Sequence, residues 1–552
     1  MPPLLRCAVA TATAALVVVL PPVASTVPVP TPTPAGVDTL AWSPCPADSP
    51  ADIVHGLPRA DVLCASVPVP VDHSAPGGRT VGIEVRKITA TGAREGTVFS
   101  NPGGPGADAR DLWYTALDRE DDSAIDEIRR TNDLVIVQPR GLEGAGALEC
   151  LPEPGDEEGS LTPADLNKLA KLCMDTDPEF VRSITTENVV RDHELVRQAM
   201  GLERISFLGY SYGTALGMMY QTLFPQSIER MVLDSSVGPS DAWWYELHQR
   251  QAENRYQARN YVLAWIAEHD DTFRLGDTPL KVYRQIRELD LAAGAAATRF
   301  LPPPAQPGDD APGSVDMLNS GSVRAENAAL ASTGAFDQTP DGAAAYFRVL
   351  DIYSRSPDTW PDIAWVISET IHGAAQDETV QEETTPEELE DRLEEETDRP
   401  AVTSDQATYL KILNCNETAP PRSNPLAPAL IGSSDSVGST SEDVWALTEQ
   451  TEYCLYPPST VPPRIEANEM GAPPLILQSD HDPNTPGLFG PRTAQATGGT
   501  LVRIRGTVHC HFDTGNRAVD DLVLEYLRTG QAPSGLYLDT PRPSPGPPPV
   551  PR

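Results

Sequence analysis

Residues Leu208–Thr214 read LGYSYGT, and this stretch carries the strongest chemical signal in the sequence. It ends the apolar run Ile205–Leu208, which is typical of a buried strand, and precedes ALGMMY, which is compatible with a helix. In a G-x-S-x-G pattern the small residues let the serine occupy a strained turn between strand and helix, because larger side chains would collide there. The turn raises the hydroxyl above the sheet, and the N-terminus of the helix places positive potential beneath it. We therefore predict that Ser211 is a nucleophile.

A serine hydroxyl is a weak nucleophile and needs a histidine base that is itself oriented by a carboxylate. On a parallel sheet with this kind of turn, the acid and then the histidine follow later strands. Asp480 and Asp482 both come after the strand-like run Leu475–Gln478. We favour Asp482 as the acid, because Pro483 and the Thr-Pro pair behind it fix the turn that aims the side chain.

The base is expected after the next strand-like run, Leu501–Ile504, which is followed by His509 and His511. We favour His509 as the base, and His511 is more simply a structural or solvent-exposed histidine. His481 stands beside the predicted acid and could suggest a metal site. However, the nearby sequence offers no matching pair of metal-ligating residues at close spacing. We therefore expect no metal and no cofactor.

A glycine-rich stretch, NPGGPG at Asn101–Gly106, directly follows the strand-like run Thr97–Ser100. Glycines allow backbone N–H groups to face a substrate oxygen without interference from a Cβ. We predict that the amides of Gly104 and Tyr212 form an oxyanion hole. A phosphate cradle is the rival interpretation, but the stretch lacks the Gly-Lys-Ser/Thr ending that such a cradle needs.

Up to about Gly238 the sequence alternates short apolar runs with amphipathic stretches. The strand-like runs are Thr97–Ser100, Asp133–Gln138, Ile205–Leu208 and Met231–Leu233, and Asn188–Gly201 has apolar residues at helical spacing. Strands that alternate with helices predict a mostly parallel sheet covered on both faces. We place the first part of this α/β core at 40–240 and the second part, which carries the acid and the histidine, at 405–540.

Residues 241–404 separate the two parts and are richer in helical patterns, such as Arg255–His269 and Pro279–Leu289. We predict a helical cap inserted into the sheet domain. Its acidic run, 377–398, is most simply a solvated helix face or a disordered flap, with a role toward a cation or a cationic substrate as the alternative. The proline-rich tail 541–552 is expected to be disordered.

Residues 1–25 place Arg6 before a short apolar run, two prolines and a set of small residues. This arrangement predicts a secretory signal peptide, with an uncleaved anchor as the alternative, and a proline-rich leader follows at 26–39. The formal net charge of −38 disfavours nucleic acid and anionic membranes as partners. We expect a secreted protein that is not stably inserted in a membrane after the signal has been cleaved.

An exported chain meets an oxidising environment, in which cysteines pair. Proximity in the sequence favours the disulfides Cys45–Cys64, Cys150–Cys173 and Cys415–Cys454, although other pairings of these six residues are open. Removal of Cys7 with the signal leaves an odd number of cysteines, so one thiol stays unpaired.

Together, these motifs resemble the secreted tripeptidyl aminopeptidase branch of the prolyl aminopeptidase family of α/β-hydrolases, found in actinomycete bacteria. The matching stretches are Cys64–Asp72, Asn101–Gly106, Thr185–Asn188, Gly209–Thr214, Phe224–Pro225, Arg230–Asp234, Asn414–Glu417 and Asp482–Pro486. The resemblance implies an α/β-hydrolase fold with an inserted helical cap and the triad Ser211, Asp482 and His509. It also implies that Thr485 supports the acid turn and that short peptides are removed from free N-termini.

The chain departs from the family pattern at three places. Gln138 stands where an aspartate is usual before Pro-Arg-Gly, and Val508 stands where glycine is common before the catalytic histidine. Asn516 and Arg517 stand where some relatives have a cysteine that pairs near Cys510. For that reason we assign Cys510 as the unpaired thiol.

An exopeptidase must hold the free ammonium of its substrate with buried carboxylates, and a cap could bring them over the nucleophile. Glu417, beside a predicted disulfide, is our hypothesis for this role, with an ordinary surface glutamate as the alternative. The predicted function is a secreted serine exopeptidase that acts on peptides with a free N-terminus through an acyl-enzyme on Ser211. An esterase or lipase with the same triad is the alternative enzyme, and a non-catalytic binding protein that keeps the fold is the third possibility.

Overall fold

The computed structural model describes residues 38–45, 62–113, 123–150, 163–240, 243–292, 300–306, 309, 345–373, 404–417 and 460–547. The predicted signal peptide, most of the leader, the acidic run 377–398, Cys454 and residues 548–552 lie outside the described residues. None of the helices in the described ranges combines the length and the apolar character needed to cross a membrane.

The described residues form a sheet of ten strands. They are β1 (Ser43–Pro44), β2 (Val62–Pro70), β3 (Thr80–Ile88), β4 (Gly96–Asn101), β5 (Asn132–Val137), β6 (Ile205–Tyr210), β7 (Ile228–Asp234), β8 (Leu475–Ser479), β9 (Thr500–Arg505) and β10 (Tyr537–Asp539). Their order across the sheet is β1-β2-β3-β5-β4-β6-β7-β8-β9-β10. The pairs from β5 to β10 are parallel, and the pairs from β1 to β5 are antiparallel. The mostly parallel sheet is therefore confirmed.

Helices occupy the connections between the parallel strands and the segment after β7. They are α1 (Ala124–Arg129), α2 (Pro163–Thr176), α3 (Pro178–Ser183), α4 (Thr186–Ala199), α5 (Gly213–Leu223), α6 (Trp243–Glu268), α7 (Asp270–Phe273), α8 (Pro279–Ala292), α9 (Ala345–Tyr353), α10 (Trp360–Gly373), α11 (Ser404–Glu417), α12 (Phe489–Thr497) and α13 (Arg517–Thr529). Short 3₁₀ turns lie at Ala109–Asp111, Pro225–Ser227 and Pro357–Thr359.

Two apolar clusters cover the two faces of the sheet, because successive side chains of a strand point to opposite faces. In β6, Phe207 packs in the first cluster and Leu208 in the second. In β7, Leu233 packs in the first cluster and Val232 in the second. Strands that are buried on both faces explain why these segments read as continuous apolar runs.

The parallel arrangement places the carboxyl ends of β4, β6, β7, β8 and β9 at one edge of the sheet. Ligands of open α/β sheets bind at this edge. The glycine-rich stretch, the G-x-S-x-G turn, the predicted acid and the predicted histidine follow four of these strands in the sequence. The fold therefore brings four distant segments of the chain to one edge.

The segment between β7 and β8 has its own apolar core, built by α6, α8, α9 and α10 around Trp265 and Trp360. We expected a helix at Arg255–His269, but α6 already begins at Trp243. Gln251 and Asn254, in the part of α6 before Arg255, donate hydrogen bonds to backbone carbonyls of the acid turn, so these polar residues gave no helical signal in the sequence. The domain limits at 240/241 and 404/405 stay predictions.

The proline-rich tail differs from our expectation. Residues 541–547 are described, and Trp265 Nε1 donates a hydrogen bond to the carbonyl of Pro543 at 3.1 Å. Trp365 Nε1 donates to the carbonyl of Pro545 at 3.0 Å, and Arg542 lies 2.9 Å from Glu268. An extended proline-rich segment exposes its carbonyls, so indole N–H groups can hold it without regular secondary structure. The expectation of a disordered tail was therefore wrong for 541–547.

Two of the predicted disulfides, Cys45–Cys64 and Cys150–Cys173, are present. Cys415 is also disulfide-bonded, but its predicted partner Cys454 lies outside the described residues. Cys510 is a free thiol, as predicted.

Candidate active site

The turn between β6 and α5 holds Ser211 with a φ of 52°. A positive φ is uncommon for a residue with a side chain, and it persists only where the surroundings enforce it. A Cβ added to Gly209 would lie 2.3 Å from the carbonyl oxygen of Gly213, and one added to Gly213 would lie 2.6 Å from that of Asn101. Both small positions of the G-x-S-x-G pattern therefore require glycine.

Asp482 follows β8 and is fully buried. Its Oδ1 accepts hydrogen bonds from the amides of Asn484 (2.8 Å) and Thr485 (2.9 Å), and its Oδ2 accepts one from Thr485 Oγ1 (2.7 Å). His509, after β9, places its Nδ1 2.9 Å from Asp482 Oδ2. The structure thus brings the predicted acid, the predicted base and the predicted acid-turn residue into one hydrogen-bonded group.

This pairing shifts the pKa values of both residues. Burial alone would lower the pKa of His509, but the charges of Asp482 and Cys510 and the hydrogen bonds with both residues together outweigh it, so the pKa lies well above its usual value. Burial alone would raise the pKa of Asp482, but the charge of His509 and the hydrogen bonds from His509 and Thr485 lower it. The carboxylate therefore stays ionised and stabilises the cationic imidazole.

Asp480 and His511, the residues that we did not favour as acid and base, form hydrogen bonds with other partners. Asp480 accepts a hydrogen bond from Arg503 Nε at 3.0 Å. His511 is buried, its Nε2 lies 2.9 Å from Ser479 Oγ, and burial lowers the pKa of its imidazole to about 4. Within the described ranges, no group of three His, Cys, Asp or Glu side chains could hold a metal ion, and His481 belongs to no such group.

Asp234, at the end of β7, connects the serine turn with the histidine loop. The amide of Ser211 donates a hydrogen bond to Asp234 O at 2.9 Å. Asp234 Oδ2 accepts hydrogen bonds from the amides of His511 (2.7 Å) and Phe512 (2.8 Å). In the described part of the chain no hydrogen bond joins the Ser211 hydroxyl to His509, and such contacts often tighten only when substrate is bound.

The glycine-rich loop after β4 lies directly against the serine turn. A Cβ added to Gly103 would lie 2.9 Å from Ser211 Cβ and 3.1 Å from the amide nitrogen of Tyr212. The amide of Gly103 donates to Asn101 Oδ1 at 2.9 Å, whereas no hydrogen bond of the described residues uses the amide of Gly104. This geometry is compatible with an oxyanion hole that includes Gly104, which stays a prediction.

Glu417 ends α11 and is buried rather than exposed as a surface glutamate would be. Its Oε1 accepts a hydrogen bond from the amide of Thr186, and its Oε2 accepts one from Thr186 Oγ1 at 3.0 Å. Thr186 Oγ1 lies 2.9 Å from the hydroxyl of Tyr212, the residue after Ser211. Burial, with the charge of Glu417 as a smaller cause, raises the pKa of Tyr212. These contacts link Glu417 through Thr186 to the hydroxyl of Tyr212, and its role toward an ammonium group stays a prediction.

Several residues near the candidate site were not identified from the sequence. On α6, Asn254 Nδ2 donates to the carbonyl of Asp482 and Gln251 Nε2 donates to that of Asn484, both at 2.8 Å. Thr507 Oγ1, two residues before His509, donates to the carbonyl of Ser354 at 2.5 Å. Polar side chains that bond backbone carbonyls leave no motif in a sequence, so tertiary structure alone locates them.

Two family models match this chain. One is described as the alpha/beta hydrolase fold and matches residues 98–313, which include the glycine-rich loop and the serine turn. The other is described as a TAP-like protein and matches residues 443–538, which include Asp482 and His509.

Curated relatives agree with these matches. Tripeptidyl aminopeptidase of Streptomyces lividans is 33% identical over 47% of this chain and 49% of its own length, so the match spans about half of that relative. Serine protease Hip1 of Mycobacterium tuberculosis is 24% identical over 89% of each chain. Carboxylesterase B of M. tuberculosis is 31% identical over 32% of this chain and 36% of its own length.

Proposed function

We propose that this chain, which matches the alpha/beta hydrolase fold over residues 98–313 and is similar to tripeptidyl aminopeptidases, is a serine peptidase that cleaves near a free N-terminus. The observation that carries the proposal is the 2.9 Å contact between His509 Nδ1 and Asp482 Oδ2. This pair lies at the sheet edge where β6 ends and the strained turn presents Ser211.

In the proposed mechanism, Ser211 Oγ attacks the carbonyl carbon of the scissile peptide bond while His509 Nε2 takes the hydroxyl proton. Asp482 keeps the proton of Nδ1 in place and stabilises the imidazolium that forms. The imidazolium then gives its proton to the leaving amine, and the C–N bond breaks to leave an acyl-enzyme on Ser211. Water, activated by the same imidazole, hydrolyses the ester and restores the free hydroxyl.

The oxyanion of each tetrahedral intermediate is assigned to the amides of Gly104 and Tyr212. The close approach of Gly103 to Ser211 supports this assignment, because it keeps the glycine-rich loop beside the reacting carbon. Backbone amides fixed in this way stabilise charge without reorganising during the reaction.

The requirement for a free N-terminus is tested with pairs of substrates that differ only in acetylation of the terminal amine. We expect the purified chain to release arylamine from a tripeptidyl arylamide and to lose at least about 10-fold in kcat/KM when the terminal amine is acetylated, because a desolvated ammonium pairs strongly with a carboxylate. Aminoacyl and dipeptidyl arylamides establish how many residues are released. Equal cleavage of free and acetylated peptides would refute the exopeptidase proposal.

Glu417 is tested in the same assay. If it binds the ammonium, E417Q raises KM for free-amine substrates and leaves KM for acetylated ones unchanged. An unchanged KM for the free amines would remove Glu417 from the substrate site and leave it as a support of Thr186 and Tyr212.

Esterase activity is the second candidate, because Carboxylesterase B is among the relatives. Peptide p-nitrophenyl esters with a free and with an acetylated amine separate the two functions: an esterase hydrolyses both at equal rates. A peptidase of the proposed kind shows its highest kcat/KM on peptides with a free amine.

We also propose that the protein is exported. The disulfides Cys45–Cys64 and Cys150–Cys173 support this, because disulfides persist mainly in oxidising compartments. N-terminal sequencing of protein recovered from the culture medium would test both the export and the cleavage near residue 25.

A further inference from the structure

Asp234 is a fully buried carboxylate that the proposed mechanism does not use. It ends β7, which lies in the sheet between β6, the strand before the serine turn, and β8, the strand before Asp482. Its contacts reach the serine turn and the histidine loop, and its strand pairs with β8, which precedes Asp482.

The first of these contacts holds the nucleophile. The backbone carbonyl of Asp234 accepts the amide of Ser211 at 2.9 Å, which fixes the turn in which Ser211 has a positive φ. This bond extends the pairing of β6 with β7 by one residue beyond the strand end.

The second set of contacts holds the base. One carboxylate oxygen, Asp234 Oδ2, accepts both the amide of His511 (2.7 Å) and the amide of Phe512 (2.8 Å). The neighbouring Ser235 Oγ accepts the amide of Cys510 at 2.9 Å. Three consecutive amides directly after His509 are therefore bound by two adjacent side chains of the strand end.

The histidine loop needs such an anchor because its own backbone is not in a relaxed conformation. Cys510 has a φ of 67° and Asp513 has a φ of 63°. Residues with side chains adopt this region at a cost, and they stay in it only where external bonds enforce it. Ser235, with a φ of 59°, also donates its amide to Leu477 in β8, so the anchor is itself tied to the strand of the acid.

We propose that Asp234 is a positioning residue that sets the distance and orientation between Ser211 Oγ and the imidazole of His509. It acts through its carbonyl on the nucleophile and through its carboxylate on the loop that carries the base. This inference rests on the proposed function, because it assigns Asp234 to the serine–histidine step of that reaction.

The test uses D234A and D234N, with D290A and D290N as matched controls. Asp290 is also buried and accepts the amides of two consecutive residues, Tyr346 at 3.0 Å and Phe347 at 3.5 Å, but it lies in the core of the helical segment. The readouts are the rate of Ser211 labelling by a fluorophosphonate, kcat and KM on a tripeptidyl arylamide, and the melting temperature.

We expect D234A to lower the labelling rate and kcat by about 100-fold, since misplacement of a catalytic group by about 1 Å has an effect of this size. KM changes by less than about 2-fold, because Asp234 does not touch the substrate. D234N keeps one acceptor oxygen for the two amides and is expected to lose only about 3- to 10-fold. The Asp290 variants lose melting temperature but label at the wild-type rate.

A purely structural role for Asp234 predicts a different result. Folded D234A would then label at the wild-type rate, and its activity would fall only with the fraction of unfolded protein, which would overturn the proposal. If D234A does not fold, D234N decides the question, and a wild-type labelling rate in D234N overturns it.

Failure of the proposed function gives a separate signature. Wild-type protein that labels on Ser211 but cleaves no peptide refutes the peptidase and leaves the Asp234 comparison intact, because the fluorophosphonate needs only an activated serine. Wild-type protein that does not label refutes the serine–histidine mechanism and, with it, the role of Asp234.

Discussion

The sheet and the helical segment between β7 and β8 contribute to the candidate site in different ways. In the sheet, Ser211, Asp482 and His509 each follow a strand, and neighbouring backbone groups fix their turns. The helical segment reaches the site through two side-chain amides, Asn254 and Gln251, and through the carbonyl of Ser354. The comparison indicates that the sheet positions the proposed catalytic residues, whereas the helical segment adds hydrogen bonds to the acid turn and to the histidine loop.

The largest effect is expected from S211A, which removes the proposed nucleophile from the sheet edge. Activity on peptides is expected to fall by about 10⁶-fold, as for other serine nucleophiles, and fluorophosphonate labelling to disappear. Ser206 lies on the same strand away from the turn, so S206A serves as the control with near wild-type labelling. Residual labelling of S211A would show that another residue is the nucleophile.

D482N is expected to have the next largest effect, a loss of about 10⁴-fold in kcat. The charge of Asp482 raises the pKa of His509, so its removal lowers that pKa and moves the acid limb of the pH–rate profile to lower pH. D480N, which alters the contacts of Asp480 with Arg503 and Tyr537, keeps the wild-type profile. A profile that shifts in D480N and not in D482N would reverse the assignment of the acid.

T485V tests how much of the acid turn depends on one hydroxyl. It removes the 2.7 Å bond to Asp482 Oδ2 and retains the amide bond to Oδ1. A hydrogen bond to a charged group contributes about 1.5–3 kcal/mol, so we expect kcat to fall by about 10-fold or somewhat more. T485S should restore most of the rate, and failure of that rescue would point to packing rather than to the hydroxyl.

The smallest effect on catalysis is expected in the helical segment. W265F combined with W365F removes both indole donors to the tail, each worth about 1 kcal/mol, and this loss should lower the melting temperature by roughly 2–4 °C beyond the cost of lost core packing around Trp265, with little change in kcat. A chain truncated after Thr540, which lacks the carbonyls that the two indoles bind, serves as the control. The double substitution loses core packing around Trp265 in both chains, so its effect should be smaller in the truncated chain by roughly 2–4 °C, and an equal effect would show that the indoles do not hold the tail.

The strands of the sheet were easier to predict from the sequence than the helices of the helical segment, and the reason is physical. Strands buried on both faces leave uninterrupted apolar runs, so Leu475–Gln478 was recognised and the structure extends it only to Ser479. β2 was missed because it contains Pro68 and Pro70, which argue against a strand. Among the described residues, β1 pairs only with Leu63 and Cys64, so the two prolines interrupt no strand pairing on that side.

The residues of the candidate site also differ in whether the sequence alone predicted them. Ser211, Asp482, Thr485 and His509 stand in short motifs at the ends of apolar runs, which made them visible in the sequence. Asp234 also ends such a run, but nothing in the chain shows that its carboxylate meets amides far along the sequence. Contacts between distant segments depend on the assembled sheet, so residues of this kind require the structure.

The two edge strands of the sheet, β1 and β10, are very short, and this has a consequence for solubility. β1 has two residues, one of them Pro44, and β10 has three. Long open edges invite self-association by strand addition, whereas short or proline-containing edges discourage it. A chain ending before Tyr537 would uncover the outer margin of β9, so such a truncation is expected to aggregate on storage even where its catalytic groups are intact.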